Sequence, residues 1–382
     1  MTDTRIFTER LAQLVAQPSI SSTSKQFDMS NRGVIELLAN WLQPRGFQVE
    51  IMDLPDNKAN LIATLGSGPG GLVLAGHTDT VPCNPDRWQQ SPFELVDRDN
   101  RFYGLGATDM KGFFPTILAA MDELGEQLHT LKQPLIVLAT ADEESSMSGA
   151  RALAEAGRPK ARYAVIGEPT GMRPIRMHKG IMMESVRVQG IAGHSSNPAL
   201  GRNALETMHA VIADLLQFRH QLQAAHHNPG FAVDVPTLNL GHIHGGDNPN
   251  RICGHCEMHF DLRPLPGMDI DELRETIAGR LQPIAERLQT PISLEHLIGG
   301  VDAFEEPATS QLVKIAERLT GHSSAAVAFA TEAAFMQQLG MQTIVMGPGS
   351  IDQAHQPDEF LAHDQIRPAI RTLRDLIIEL CC

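Results

Sequence analysis

The segment Leu72-Val73-Leu74-Ala75-Gly76-His77-Thr78-Asp79 decides the fold of this chain. Its apolar first half is typical of a strand that is buried in a parallel sheet. His77 and Asp79 lie two residues apart where this strand ends, so their side chains point to the same side. The imidazole can then bind a metal through one nitrogen while the aspartate holds the other. A surface loop with a capping aspartate explains the same residues. These two residues alone therefore do not distinguish a metal site from an ordinary loop.

The sequence around this segment alternates strands with helices. Apolar runs of strand length predict strands at 47–54, 60–65, 72–76, 135–140 and 163–167. Apolar residues at helical spacing predict helices near 5–15 and 30–44 and a third one that opens at Asp109. This alternation predicts the α/β class, with a mostly parallel sheet sandwiched by helices.

The pattern changes at about residue 181. Residues 181–297 predict the order β-α-β-β-α-β of a ferredoxin-like α+β unit, and α/β elements resume after it. We therefore expect a main domain in two parts, 1–180 and 298–382, interrupted by a smaller inserted domain at 181–297.

Composition excludes several classes of function. The formal net charge of −14 argues against nucleic acid or an anionic membrane as a partner, and no apolar run approaches the length of a membrane span. Five cysteines are too few for a disulfide framework and fit a reducing compartment, so we expect a cytoplasmic protein. Cys253-Gly-His-Cys256 has the letters of a redox motif, but the alternating residues around it predict a strand rather than the helix start that such chemistry needs.

Further metal-ligand types follow the predicted strands or precede the third helix: Asp109, Asp142, Glu143, Glu144, Glu168 and His355. Each alone could be a surface acid, a helix cap or a loop histidine. Together they fall at the carboxyl ends of sheet strands, where open α/β sheets build their sites. Mixed His, Asp and Glu ligation suits zinc, and the number of residues suits two metals that share a carboxylate.

These residues lie in motifs that carry a resemblance to a known family. With residues 76–82, 104–112, 140–144, 167–170, 193–196 and 355–358, the chain resembles the M20-type co-catalytic zinc amidohydrolases over nearly its whole length. Narrower motifs at 239–246, 250–252, 261–267 and 347–350 are similar to the acetylornithine deacetylase branch of that family.

The resemblance implies two Zn²⁺ ions per subunit, with Co²⁺ able to substitute. It implies a cis peptide after Asp109 and the following ligands: a bridging Asp109, with His77 and Glu168 at one metal and Glu144 and His355 at the other. It also implies that Asp79 holds His77 and that Glu143 is the general base.

The same resemblance implies a role for a histidine of the inserted domain. His194 would reach across a homodimer and donate a hydrogen bond to the oxyanion, which makes the inserted domain both lid and dimerisation surface; a structural loop histidine is the alternative. Hydrolysis of an N-acyl amino acid also requires donors for its α-carboxylate, and the candidates from both predicted domains are Asn250, Arg251, Arg263, Lys179, Gly349 and Ser350. Glu332 could bind a basic substrate side chain, or could simply be an acid in the first turn of a helix.

The expected activity is hydrolysis of Nα-acetyl-L-ornithine to ornithine and acetate, in arginine biosynthesis. A succinyl-diaminopimelate desuccinylase or a broad-specificity N-acyl amino acid deacylase would use the same chemistry. A metal-dependent binding protein that has lost hydrolysis is the alternative from another class, and the presence of Glu143 argues against it.

Overall fold

A computed structural model describes residues 4–382, so the first three residues of the predicted domain 1–180 lie outside it. The helices are α1 Thr4–Val15, α2 Arg32–Leu42, α3 Phe113–Leu124, α4 Ser148–Glu155, α5 Ala204–Ala225, α6 Ile270–Leu288, α7 Gln311–Thr320, α8 Ala333–Gln338 and α9 His363–Cys381. The strands are β1 Gln48–Leu54, β2 Lys58–Leu65, β3 Leu72–His77, β4 Val96–Arg98, β5 Arg101–Tyr103, β6 Leu135–Thr140, β7 Tyr163–Pro169, β8 Ile175–His178, β9 Met182–Gln189, β10 Thr237–Gly245, β11 His255–Arg263, β12 Ile292–His296, β13 Phe304–Glu305, β14 Ala325–Val327, β15 Gln342–Gly347 and β16 Phe360–Ala362.

The described chain divides into two units. The second unit consists of Met177–Glu305 with Ala326–Ala330, and the first unit consists of the rest. The second unit begins before and ends after the predicted insertion at 181–297. The reason is backbone pairing, because Phe304 of β13 pairs with His178 of β8 and so brings both flanks of the insertion together.

The large sheet of the first unit is mixed. Its central strands β6, β3, β7 and β15 are parallel, whereas β2 and β1 at one side and β8 at the other are antiparallel. The α/β class is confirmed, with parallel pairing among the central strands β6, β3, β7 and β15. Only three residues, Pro55–Asn57, connect β1 to β2, and so short a connection allows only antiparallel pairing.

The four parallel strands bring their carboxyl ends to one edge of the sheet. All residues of β3, β6 and β7 are buried, as the continuous apolar runs predict. Two glycines let α3 and the turn before it approach this edge closely. A Cβ on Gly167 would lie 2.1 Å from the Phe113 ring, and one on Gly76 would lie 2.6 Å from the Met110 side chain. The residues after these glycines, His77 and Glu168, are thereby held against a tightly packed core.

The second unit has the predicted order of elements. Its four strands pair antiparallel in the order β10-β11-β9-β12, and α5 and α6 pack on the sheet. The alternating residues of β11 face this core, and they include Cys256, which is buried with Cys253. All five cysteines are free thiols. Among residues 4–382, no helix combines the length and the apolar character needed to cross a membrane.

Candidate metal centre

Five separate segments of the first unit supply the site. His77 ends β3 and Glu168 lies near the end of β7, while Asp109 lies in the turn before α3. Glu144 follows β6 and His355 lies in the loop that follows β15. The sequence predicted a helix that opens at Asp109. In the structure α3 begins only at Phe113, so Asp109 lies before the helix. The Asp109–Met110 peptide is cis, which confirms that expectation.

The first group of ligand atoms is formed by His77, Asp109 and Glu168, all buried. The Nε2 atom of His77 lies 3.1 Å from Oδ1 of Asp109 and 3.9 Å from Oε1 of Glu168. All three ligand atoms lie within 4.8 Å of one another, which is the separation expected around a single ion.

The second group is formed by Asp109, Glu144 and His355, again with ligand atoms within 4.8 Å of one another. Nε2 of His355 lies 3.4 Å from Oδ2 of Asp109 and 3.0 Å from Oε2 of Glu144. Asp109 therefore offers one oxygen to each group. That is the geometry of a carboxylate shared by two ions.

The charge of this cluster fits divalent cations. Burial, and then the Asp109 carboxylate, raise the pKa of Glu168 well above its ordinary value, and the same causes raise the pKa of Glu144. Oε1 of Glu168 is buried without a hydrogen-bond partner. Burial opposes protonation of His77, yet its hydrogen bond to Asp109 raises its pKa well above the ordinary value. Bound cations would relieve the repulsion among these carboxylates and pair the orphaned oxygen.

Asp79 contacts two members of the site. Nδ1 of His77 lies 3.0 Å from the Asp79 carbonyl oxygen and 3.8 Å from its carboxylate, so the backbone rather than the side chain is the nearer acceptor. The carboxylate oxygen Oδ2 accepts the Glu144 N–H at 3.1 Å. Asp79 thus orients a histidine of one group and the backbone of the other.

Glu143 is half-buried and its charge acts on the first group of ligands. Burial, followed by the Glu168 carboxylate, raises the pKa of Glu143 well above its ordinary value. Its neighbour Glu144 contacts His355 instead. The two consecutive glutamates therefore act on different parts of the cluster, although they lie in a turn and not in the extended chain that the sequence predicted.

A buried network that the sequence did not reveal holds the turn that carries Glu143 and Glu144. The Asp142 carboxylate accepts hydrogen bonds from Ser21 at 2.8 Å and from Ser148 at 2.6 Å, and it pairs with the ammonium group of Lys58. Asp142 has a φ of 62°, a left-handed conformation that aspartate tolerates better than most residues. Nothing in the sequence distinguishes Lys58 from an exposed lysine at the end of a strand.

Two of the predicted substrate residues in this unit lie beside the site. Gly349 has a φ of +95°, and a Cβ there would lie 2.3 Å from Oγ1 of Thr108. Ser350 is exposed and bridges to Thr170, just past Glu168.

Glu332, which was predicted to bind a basic substrate side chain, lies directly before α8. It is completely buried, and neither carboxylate oxygen has a hydrogen-bond partner of good geometry. Burial raises the pKa of Glu332 to about 7.

In the second unit the structure brings His194, Asn250 and Arg251 together. The Ser195 N–H donates to the Asn250 carbonyl at 3.0 Å, and His194 bridges to Arg251. The Arg251 guanidinium pairs with Asp247 at 2.5 Å.

The two other cations of this unit that were predicted to bind the substrate carboxylate, Arg263 and Lys179, have partners of their own. Arg263 is paired with Asp261 at 2.9 Å. Lys179 is buried and donates its ammonium to the Val235 carbonyl at 2.6 Å.

Comparison with known proteins identifies the family to which these features belong. Residues 73–379 match the peptidase family M20/M25/M40. The chain is 49% identical over 370 residues to an acetylornithine deacetylase of Edwardsiella ictaluri, with 96% of each chain covered. This chain belongs to the M20/M25/M40 family.

Solved structures of M20 relatives share the fold at low identity. A tripeptidase from Staphylococcus aureus superposes with a TM-score of 0.77 at 18% identity, covering 100% of this chain and 99% of its own. A dinuclear metal-binding M20 peptidase from Bacillus subtilis superposes with a TM-score of 0.67 at 16% identity, covering 99% of this chain and 100% of its own. Membership of the M20 family makes this chain a metal-dependent hydrolase, as predicted.

Proposed function

We propose that this chain hydrolyses the amide bond of Nα-acetyl-L-ornithine at a dinuclear metal centre, and so supplies ornithine for arginine biosynthesis. The similarity to an acetylornithine deacetylase along 96% of the chain supports the substrate. The observation that carries the reaction class is Asp109, whose two oxygens face two separate groups of ligand atoms.

The residues of the site divide into two sets of ligands. His77, Asp109 and Glu168 would hold one ion, and Asp109, Glu144 and His355 would hold the other. Imidazole and carboxylate together suit Zn²⁺, and Co²⁺ accepts the same ligands. Two such ions, when bound, lower the pKa of water toward neutrality and polarise an amide carbonyl.

Glu143 moves the proton in this proposal. Its carboxylate takes a proton from the attacking water and passes it to the amide nitrogen, which leaves as an amine. The reaction breaks the C–N bond, forms a C–O bond and needs no other reactant than water.

The tautomer of His194 supports its role as an oxyanion donor. Nδ1 of His194 lies 3.2 Å from the Ser196 backbone nitrogen, which can only donate a hydrogen bond. Nδ1 is therefore the acceptor, and in the neutral ring the proton lies on Nε2, free to donate.

We propose that the enzyme is a homodimer in which each His194 serves the partner's metal centre, with Asn250, Arg251, Arg263 and Ser350 available for the substrate carboxylate. Free thiols at all five cysteines are consistent with a cytoplasmic enzyme.

Measuring kcat/KM side by side on Nα-acetylornithine, N-succinyl-diaminopimelate and Nα-acetylmethionine tests the substrate. We expect a preference of at least ~100-fold, or about 2.7 kcal/mol, for acetylornithine. Comparable values for acetylornithine and acetylmethionine would make the enzyme a broad N-acyl amino acid deacylase. Preference for the succinyl substrate would make it a desuccinylase.

Replacement of His194 by alanine should lower kcat by ~10²–10³ without loss of metal, because one oxyanion donor is removed. His226→Ala, at an exposed histidine of the same unit, is the matched control.

Mixing His194→Ala with Glu143→Gln tests whether the histidine acts across the dimer. In a mixed dimer, one of the two sites would combine an intact Glu143 with an intact His194 from the partner. Random exchange of subunits should then restore about a quarter of the wild-type activity, because half of the dimers carry one intact site. Failure of the mixture to recover activity would show that His194 serves its own chain.

A further inference from the structure

The buried carboxylate of Glu359 accepts hydrogen bonds from three backbone N–H groups in the turn that carries Asp109. Its Oε1 accepts the Thr108 N–H at 2.8 Å and the Asp109 N–H at 3.0 Å. Its Oε2 accepts the Gly106 N–H at 3.0 Å. Both oxygens are thus engaged with backbone, and Glu359 itself is buried.

The same residue belongs to the loop that carries His355. The Glu359 carbonyl accepts the Gly104 N–H at 3.0 Å, and the next residue, Phe360, pairs with Tyr103 in a small sheet that the sequence did not predict. The loop after β15 is therefore joined to the turn before α3 by a side chain, a carbonyl and a strand pair. His355 lies only four residues before Glu359.

The turn before α3 needs such an acceptor. Residues 104–112 form neither helix nor strand and are buried, so their N–H groups cannot find partners in a regular ladder or in water. The far end of the turn is fixed separately, because the buried Lys111 donates to the carbonyls of Leu14 and Gln17 near the end of α1. Between Glu359 and Lys111, the backbone at Asp109 has little freedom to move.

This constraint bears directly on the second group of ligand atoms. Asp109 and His355 lie on the two segments that Glu359 joins, and their atoms Oδ2 and Nε2 are 3.4 Å apart. Burial and the Asp109 carboxylate raise the pKa of Glu359 to about 8, while its three N–H donors act in the opposite direction.

We propose that Glu359 is a positioning residue of the dinuclear centre, which sets the affinity of the ion held by Asp109, Glu144 and His355. The inference rests on the proposed function, because it presumes that these groups hold metal. Glu359 contacts no reacting atom and acts only through the backbone of the Asp109 turn and the loop of His355.

The test is a calorimetric titration of metal-free protein with Zn²⁺ and with Co²⁺. In Glu359→Gln, an amide N–H₂ replaces one acceptor oxygen and faces a backbone N–H, so at least one hydrogen bond is lost. We expect the ion held by Asp109, Glu144 and His355 to bind 10–100-fold more weakly than in the wild type. This is the range typical of residues that orient metal ligands. Glu306→Gln is the matched control. Glu306 is also a buried glutamate, and it accepts the Thr343 N–H at 2.9 Å at the start of β15, the end of that strand opposite to the site.

The outcomes separate this inference from the proposed function. Wild-type protein that fails to bind two ions would overturn the proposed function. Two ions in wild type and unchanged affinities in Glu359→Gln would overturn only the role of Glu359, as would an equal loss of affinity in Glu306→Gln. Thermal unfolding of the metal-free proteins reports whether both variants fold. If Glu359→Gln does not fold, Glu359→Asp, which keeps the charge but is one methylene shorter, must show the weakened second ion.

Discussion

Replacement of Glu143 by glutamine is expected to lower kcat by a factor on the order of 10⁴, the upper end of what general-base catalysis contributes. Glutamine keeps the size of the side chain but cannot accept the proton of the attacking water. Because Glu143 is in neither group of ligand atoms, both ions should still bind. The measurement is kcat at saturating substrate, together with the metal content of the dialysed variant.

Glu155→Gln provides the control for this variant. Glu155 is an exposed glutamate at the end of α4, so its replacement makes the same chemical change away from the site. Its kcat should equal that of the wild type. A Glu143→Gln enzyme that retains more than a tenth of the wild-type kcat would remove Glu143 from the role of base.

Replacement of Asp109 by asparagine should leave at most one ion bound per chain and reduce activity to the background. An amide offers a single ligand oxygen and no charge, so it cannot bridge two ions as the two oxygens of Asp109 can. Equilibrium dialysis against Zn²⁺ followed by elemental analysis gives the number of ions per chain.

Asp99→Asn serves as the matched control for the shared ligand. Asp99 is exposed and has a φ of 53°, a conformation that asparagine adopts readily, so this variant should fold and keep both ions. Two ions retained in Asp109→Asn would show that the carboxylate is not shared. The dinuclear arrangement would then have to be abandoned.

The regular elements of the fold were largely predictable because their patterns are local. Apolar runs predicted β3, β6 and β7 nearly residue by residue, and helical spacing predicted α1 and α2. The antiparallel edges of the large sheet were not predictable, because the hydrophobic pattern of one strand does not show in which direction the neighbouring strand runs. The small sheet of β4, β5 and β16 escaped notice, because strands of three residues are too short to show a period.

The candidate ligands were predictable for a related reason. His77 and Glu168 lie at the ends of two neighbouring parallel strands, whose carboxyl ends must meet at one edge of the sheet, and the structure places both within ligand distance of Asp109 in the turn before α3. The residues that hold the ligands in place were not predictable. Lys58 and Glu359 act on Asp142 and on the Asp109 turn across 84 and 250 positions of sequence, and neither lies in a pattern that points to its partner.

By itself, the sequence determined the α/β class, the elements of the inserted segment, the residues with metal-binding side chains and the family resemblance. These depend on periodicity, on strand ends and on short motifs, all of which are local. Only the tertiary structure decided that Asp109 turns one oxygen to each group of ligands, that Lys179 and Glu332 are buried, and that Glu359 ties the Asp109 turn to the His355 loop. Burial and hydrogen bonding depend on which distant segments meet. The packing of the whole chain, and not any single stretch of it, determines that.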